Sequence, residues 1–391
     1  MMDWLTRRRA IEYSRFIVIL YGFGLIFLLL VATDRIPFPR QSTGTDFESF
    51  WNAARLVLEG RNPYDAKALY AVEGASKYAF FYPPTFLLAV LPFGILPYDV
   101  ALVAWVALGI AVYAALARRI SPSVWPVLAF PPLLINAAHG QNGAVTAAVF
   151  MAAALTMARM PFVAGAALGA FVIKPHLALL FPIALLCGKQ WRAIAGGVLS
   201  ASLGIGASWL LLPGSLWSQY IAVGGDAGGL LADPLLLPKM VSAYGMLRAP
   251  GAPLWAAIFA QVAASVTAAL CVARAWRSAD TGFAMAVLAT GAVLATPFIY
   301  SYDLVILIVP LAWLANDGMR RGFAPLTKAI MVIVYGMPLY DRTIALLAGF
   351  NPAALADLAL LGALFRQHRW KVAMDKETGT APSGPAVPPL G

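Results

Sequence analysis

Charge is what this sequence has least of. Asp, Glu, Lys and Arg make up only 12% of its 391 residues, about half the ~25% of ordinary soluble domains. Cysteine is nearly missing: Cys187 and Cys271 both sit in apolar runs and read as small core residues, so a disulfide scaffold is excluded. Histidine is limited to His139, His176 and His368, too few to assemble a zinc cluster with two cysteines. The chain has no Walker A loop, no Gly-x-Ser-x-Gly and no dinucleotide-binding fingerprint, which disfavours ATP-driven transport and hydrolase chemistry. What it has instead is apolar surface. Residues of the apolar and aromatic set reach 61%, and a soluble fold of ~300 residues buries only ~75% of its unfolded surface. The expectation is an all-α, polytopic integral membrane protein.

The charge that remains is mostly positive, with 28 Lys plus Arg against 18 Asp plus Glu. Basic residues cluster at Arg7-Arg8-Arg9, Arg118-Arg119, Lys189 with Arg192, Arg274 with Arg277, Arg320-Arg321 and Arg366 to Lys371. Such spacing follows the positive-inside rule for short cytoplasmic loops. No basic run is interleaved with a base-stacking platform, so nucleic acid is not an expected partner.

Apolar runs lie at 16–33, 99–117, 122–137, 144–159, 161–174, 177–188, 192–212, 254–274, 282–300, 303–316, 325–340 and 344–364. They give about twelve transmembrane helices, although several fall short of the ~17 residues a full crossing needs. The first, behind three arginines, reads as an uncleaved helix with its N-terminus inside. Residues 84–96 are apolar but short and bracketed by prolines. They read as a re-entrant or membrane-surface element, because counting them as a span puts most arginine pairs outside. The outer side then receives 34–83, 138–143, 174–176, 213–253, 299–303 and 340–343. A multi-span domain over 1–374 and a disordered cytoplasmic tail over 375–391, rich in Pro, Gly, Thr and Ala, complete the organisation. No internal repeat is convincing.

The first outer loop carries six carboxylates: Asp34, Asp46, Glu48, Glu59, Asp65 and Glu73. Within it Thr45-Asp46-Phe47-Glu48 reads as a capping box opening a helix that Gly60 closes. Phe47, Phe50, Trp51, Ala54 and Leu58 share one face, and Glu48, Asn52, Arg55 and Glu59 the other, as for a membrane-surface helix. Asp46 in its first turn either complements the helix dipole or serves as a general base at the bilayer edge. Glu48, two positions on, points about 200° away and forms no acid dyad with it, so no metal site is expected.

Other polar groups interrupt apolar runs. His139-Gly140-Gln141-Asn142-Gly143 is either an ordinary connecting turn or a set of amides that holds ligand hydroxyls. Lys174, on the outer side where Lys is disfavoured, either snorkels or clamps a phosphate together with His176. Asp303 reads as a second acid, a partner for Lys174, or a plain helix-start acid. Tyr340-Asp341-Arg342 suggests an interfacial anchor with a local ion pair; Asp357, inside the last span, has no evident role. The second long loop carries Asp226, Asp233, Lys239 and Arg248, and its glycine-rich stretch at 224–229 is no phosphate-binding fingerprint.

Several of these segments together resemble a known family. Gly44-Thr45-Asp46-Phe47, Phe50-Trp51, Ala53-Ala54, Leu56, Leu58, Gly60 and Asn62-Pro63-Tyr64-Asp65 form a first-loop pattern. Phe81-Tyr82-Pro83-Pro84, Pro92-Phe93-Gly94, Gly140-Gln141-Asn142 and Lys174-Pro175-His176 follow in order. The set, over roughly residues 40–310, resembles the polyprenol-phosphate-mannose-dependent alpha-mannosyltransferase-like proteins of the C-type glycosyltransferase superfamily.

The resemblance implies a many-helix enzyme of the bacterial cytoplasmic membrane and cell envelope, with an outer catalytic cavity. It implies a sugar donor on polyprenyl phosphate, a lipid or glycan acceptor and no cofactor. Asp46 matches the superfamily's essential first-loop acid and is the expected base for an inverting transfer. Lys174 and His176 are then expected at the leaving phosphate, Gln141 and Asn142 at sugar hydroxyls, and Asp303 among the substrate-binding groups. A transporter or lipid-linked-sugar flippase is the alternative, and a scaffold without activity a third. Two long outer loops favour the enzyme, and the missing repeats count against a transporter.

Overall fold

A computed structural model describes residues 6–37, 44–70, 79–225 and 227–377; Glu73, Asp226 and the tail from 378 onward lie outside the described residues. The described residues are mostly helical, with no β-strand and one isolated bridge between Met240 and Tyr300. Helix α1 (Arg7–Ala32) starts where the Thr6 hydroxyl accepts from the Arg9 N–H. Helix α2 (Thr45–Leu58) and the short α3 (Pro84–Gly94) follow, then α4 (Tyr98–Ile120). Helices α5 (Pro131–His139) and α6 (Gly143–Thr156) flank the Gly140–Asn142 turn. Helix α7 (Pro161–Gly169) runs into two 3-10 segments on either side of Lys174, Ala170–Ile173 and Pro175–Ala178. The longer helices that follow are α8 (Trp191–Leu211), α9 (Leu254–Ala275), α10 (Thr281–Leu294), α11 (Ile308–Arg321), α12 (Thr327–Ala348) and α13 (Ala353–Glu377).

Five of these, α1, α4, α8, α9 and α12, are long and apolar enough to cross a bilayer. The other apolar runs are shorter pieces. Proline and glycine explain where they break. Pro131-Pro132 starts a new helix inside the run 122–137, and Pro161 and Pro175 restart the chain around 161–188. At 11 residues and ~1.5 Å per residue, α3 reaches little more than half of a ~30 Å hydrocarbon core.

Two expected boundaries move. Residues 340–343, expected as an outer loop, lie inside α12, where Asp341 is buried and accepts a hydrogen bond from Ser301 Oγ at 2.5 Å. A charge that looks interfacial in sequence is here satisfied by a distant side chain, so the helix need not end. Asp341 and Arg342 form no ion pair, contrary to the expected local pair. The last helix starts only at Ala353 and continues through Asp375 to Glu377.

Helix α2 also departs from its sequence reading. Gly44, not Thr45, is the N-cap, in the left-handed conformation (φ 71°), so the Thr45–Glu48 capping box is out of register. The helix is enclosed rather than laid on a surface. Phe47 and Phe50 are buried, but so are Glu48 and Asn52 on the face expected to meet water. Rings close around it: Phe50 meets Phe86 edge-on at 4.8 Å, Phe47 stacks on Trp105 at 5.9 Å, and Trp51 Nε1 donates to the Leu96 carbonyl at 3.0 Å. Edge and offset contacts of this kind hold beyond their area burial.

Helices α7 and α8 touch backbone to backbone. A Cβ on Gly165 would lie 1.8 Å from the Ala193 carbonyl oxygen, and one on Gly196 2.0 Å from that of Phe162. Gly165 and Gly169 are four apart, the small-residue spacing that lets membrane helices approach closely.

Candidate active site

The site is assembled at the broken ends of helices. Gly140 ends α5 with φ 66°, and a Cβ there would lie 2.5 Å from Phe47 Cβ, so only glycine lets this turn sit against α2. Gly44 N–H donates to the Ala138 carbonyl at 2.7 Å, Trp105 Nε1 to the Gly140 carbonyl at 2.9 Å, and Tyr98 OH to the Gly44 carbonyl at 3.1 Å. The start of α2, and with it Asp46, is thereby fastened to the turn that carries Gln141 and Asn142.

Behind the turn lies a buried ion pair. Lys174 donates through Nζ to Asp303 Oδ1 and, at 2.9 Å, to Asn142 Oδ1. The two charged residues are each 2% exposed. Asp303 Oδ2 also accepts the Tyr300 N–H at 3.2 Å. The rings of Tyr82 and Tyr302 face the ammonium at 5.8 and 5.6 Å, within cation–π range. Tyr82 OH donates to Gln141 Oε1 at 3.0 Å, and the Asn142 N–H shares that acceptor at 3.0 Å. Gln141, Asn142, Lys174 and Asp303 thus form one connected network. Of the readings for Asp303, the structure selects the partner of Lys174. The lysine is accordingly no free cation for a phosphate, and it does not snorkel.

Asp46 is half-buried at the edge of this network. It is near enough for its charge to act on Tyr82, His139, Lys239, Tyr300, Tyr302 and Asp303. Burial pulls the pKa of His139 below the usual histidine value, with Asp46 opposing, so the imidazole is neutral at neutral pH. Its ring meets Tyr302 at 6.0 Å. His176 lies beyond Lys174, with Nε2 buried and without a hydrogen-bond partner. The Asn142 Nδ2 amide is likewise buried without a partner, in a residue with no exposed surface.

Two cations missed as site residues complete the picture. The 3-10 segment Leu237–Lys239 packs against α12. The next residues pair with 299–300 through the Met240–Tyr300 bridge and the Val241 N–H to Ile299 carbonyl bond at 3.0 Å. Lys239 is thereby brought within electrostatic reach of Arg342, Asp46 and Asp233. Burial, then the charge of Arg342, lowers its pKa. Neither Lys239 nor Arg342 has a carboxylate within 4.0 Å among the described residues. No local motif marks them, because one comes from the second long loop and the other from mid-helix.

Among the described residues, an acid, two cations without a carboxylate partner and an unsatisfied amide around a shared turn give this polytopic helical membrane protein a site suited to polar chemistry. The chain matches the model of glycosyltransferase family 87 over residues 80–297, more than half its length, and belongs to that family. It is a membrane glycosyltransferase. No curated protein and no solved structure matches it. The matched span contains the Gly140–Asn142 turn, Lys174, His176 and Lys239; Asp46 and Asp303 lie outside it.

Proposed function

We propose that this glycosyltransferase moves a sugar, mannose by the family resemblance, from polyprenyl phosphate to an acceptor hydroxyl, with inversion. On this reading it works in the bacterial cytoplasmic membrane with its site facing outward, and the shorter apolar helices complete about twelve crossings. Asp46 takes the proton of the acceptor hydroxyl as its oxygen attacks the anomeric carbon. The bond from that carbon to the phosphate oxygen breaks, and polyprenyl phosphate leaves with the electron pair. The observation that supports this most is the fastening of Asp46 to the amide-bearing turn, with unpaired Lys239 and Arg342 beside it.

The expected phosphate role of Lys174 and His176 shifts in this proposal. A lysine neutralised by Asp303 contributes little to a developing anion, whereas Lys239 and Arg342 supply positive charge where the leaving phosphate forms. Lys174 and Asp303 act instead as a rigid support for Asn142, whose free amide hydrogens, with Gln141, meet sugar hydroxyls. His176 offers its unpartnered Nε2 as a further substrate contact.

The test is sugar transfer by the solubilised protein with radiolabelled polyprenyl-phosphate mannose, wild type beside Asp46→Asn. Loss of a positioned base costs about 10²–10⁴-fold, so labelled product and free polyprenyl phosphate should fall by that much in a variant that still folds. Equal turnover in both would remove Asp46 from the chemistry. Turnover only with a different lipid-linked sugar would replace mannose and leave the base assignment standing.

A further inference from the structure

The end of the molecule opposite the site carries a second arrangement of polar groups. Helix α10 runs from Asp280 at one end toward Ile299–Asp303 at the other. The Asp280 end also receives the C-termini of α11 and α13. There the polar groups of α13 fall into two sets. On one face Lys371 Nζ donates to Asp280 Oδ2 at 2.6 Å, and Arg321 reaches Asp375 at 2.7 Å and Asp317 at 3.0 Å. Gln367 joins Asp317 at 2.8 Å and the Gly322 carbonyl at 3.0 Å. Every cation named in this set has a carboxylate.

The other face has none. Arg366 and Arg369 flank an open groove of about 530 Å³ between α13 and the loop before α12, lined also by Pro325, Gly362, Phe365 and Trp370. Neither arginine has a carboxylate within 4.0 Å among the described residues. The Arg366 Nε is buried without an acceptor. Plain topology-setting arginines point into water. Here one guanidinium N–H is enclosed and unsatisfied at the end of an apolar trough, beside an indole. The two guanidinium forks that line the groove suit phosphate geometry, and the trough suits a hydrocarbon chain. Basic pockets between membrane helices take anionic headgroups in this way.

We propose that this groove binds an anionic phospholipid, its phosphate between Arg366 and Arg369 and an acyl chain along Pro325, Gly362 and Phe365. The site is independent of the sugar-transfer reading, since it shares no residue with it.

Native mass spectrometry of the full-length protein, with added phosphatidylglycerol or phosphatidylcholine of identical chains, tests the assignment. Wild type should retain phosphatidylglycerol about tenfold or more over phosphatidylcholine, the scale of two arginines at an anionic headgroup. Arg366→Gln/Arg369→Gln should bring the ratio near one. Gly362→Leu keeps both arginines and meets no neighbour within 4 Å at its Cβ. It fills the trough and should cut retention as well, which guards against misfolding of the arginine variant. Arg118→Gln/Arg119→Gln, an exposed basic pair on α4, should leave the ratio unchanged. Undiminished retention in the arginine double variant would overturn the proposal. So would an equal loss in the α4 control, or displacement of the lipid by millimolar inorganic phosphate at constant ionic strength.

Discussion

Lys174 holds Asp303 where water does not reach: a cation that starts one short 3-10 segment meets an acid that starts another, 129 residues later. Both residues are 2% exposed, and the contact ties the Gly140–Asn142 turn to the start of α11 through Asn142. An enclosed pair of this kind adds little net stability over apolar groups, but losing either partner strands a charge.

Lys174→Met and Asp303→Asn should each therefore destabilise the protein by about 3–5 kcal/mol, while the double variant recovers much of the loss. Thermal unfolding in detergent measures this. If the double variant is as unstable as the sum of the singles, the pair is not what holds these segments.

Gly140→Ala should cost more than about 2 kcal/mol, since it adds a left-handed Cβ penalty of ~1–2 kcal/mol to an overlap with Phe47. The turn and α2 separate together, so sugar transfer should fall as well. Gly60→Ala is the comparison. Gly60 is also left-handed (φ 72°), but its Cβ meets nothing within 4 Å, so only the conformational part should appear in the melting curve.

Lys239→Gln should raise the donor KM about tenfold or more, the scale of one charge-assisted hydrogen bond. Arg342→Gln should act in the same direction, and the two should be non-additive if they share one phosphate. Unchanged donor KM in both variants would move the leaving-group site elsewhere.

Burial tends to raise the Asp280 carboxyl, but the nearby His368 imidazole, with Nδ1 at 3.6 Å, and the hydrogen bonds from Lys371 and the Phe283 N–H outweigh it and hold its pKa well below the usual carboxylate value. A depressed folded pKa stabilises above the ordinary value of about 4 and loses that contribution as pH falls through the folded one. The melting temperature of the wild type should exceed that of Asp280→Asn at neutral pH, and the gap should close below about pH 4. A gap that is constant from pH 7 to pH 3 would show that the acid acts only as an N-cap.

The membrane character and the polar network were legible in the sequence for one reason: charge is rare in it, so each polar residue inside an apolar run stands out. Gln141, Asn142, Lys174 and Asp303 stand out on that ground, and they form one hydrogen-bonded group. Lys239 and Arg342 were overlooked as site residues because nothing local distinguishes them. Their juxtaposition depends on the packing of residues 237–241 against α12 and 299–300. Helix breaks were hard to place for a related reason, since the residues on both sides of Pro161 or Pro175 are equally apolar. The enclosure of Glu48 and Asn52 was invisible, because periodicity tells which residues share a face but not whether that face is covered.

The contact between α7 and α8 has a consequence for how this protein can change. Where Gly165 meets Ala193 and Gly196 meets Phe162, main chain rests on main chain and no rotamer intervenes. Such a joint has no slack. A larger residue cannot be taken up by a neighbouring side chain turning aside; it must wedge two helices apart. Since the 3-10 segment that ends at Lys174 springs directly from α7, the wedge is delivered to the charged centre. Two glycines that carry no chemistry of their own thus set the tolerance to which that centre is built.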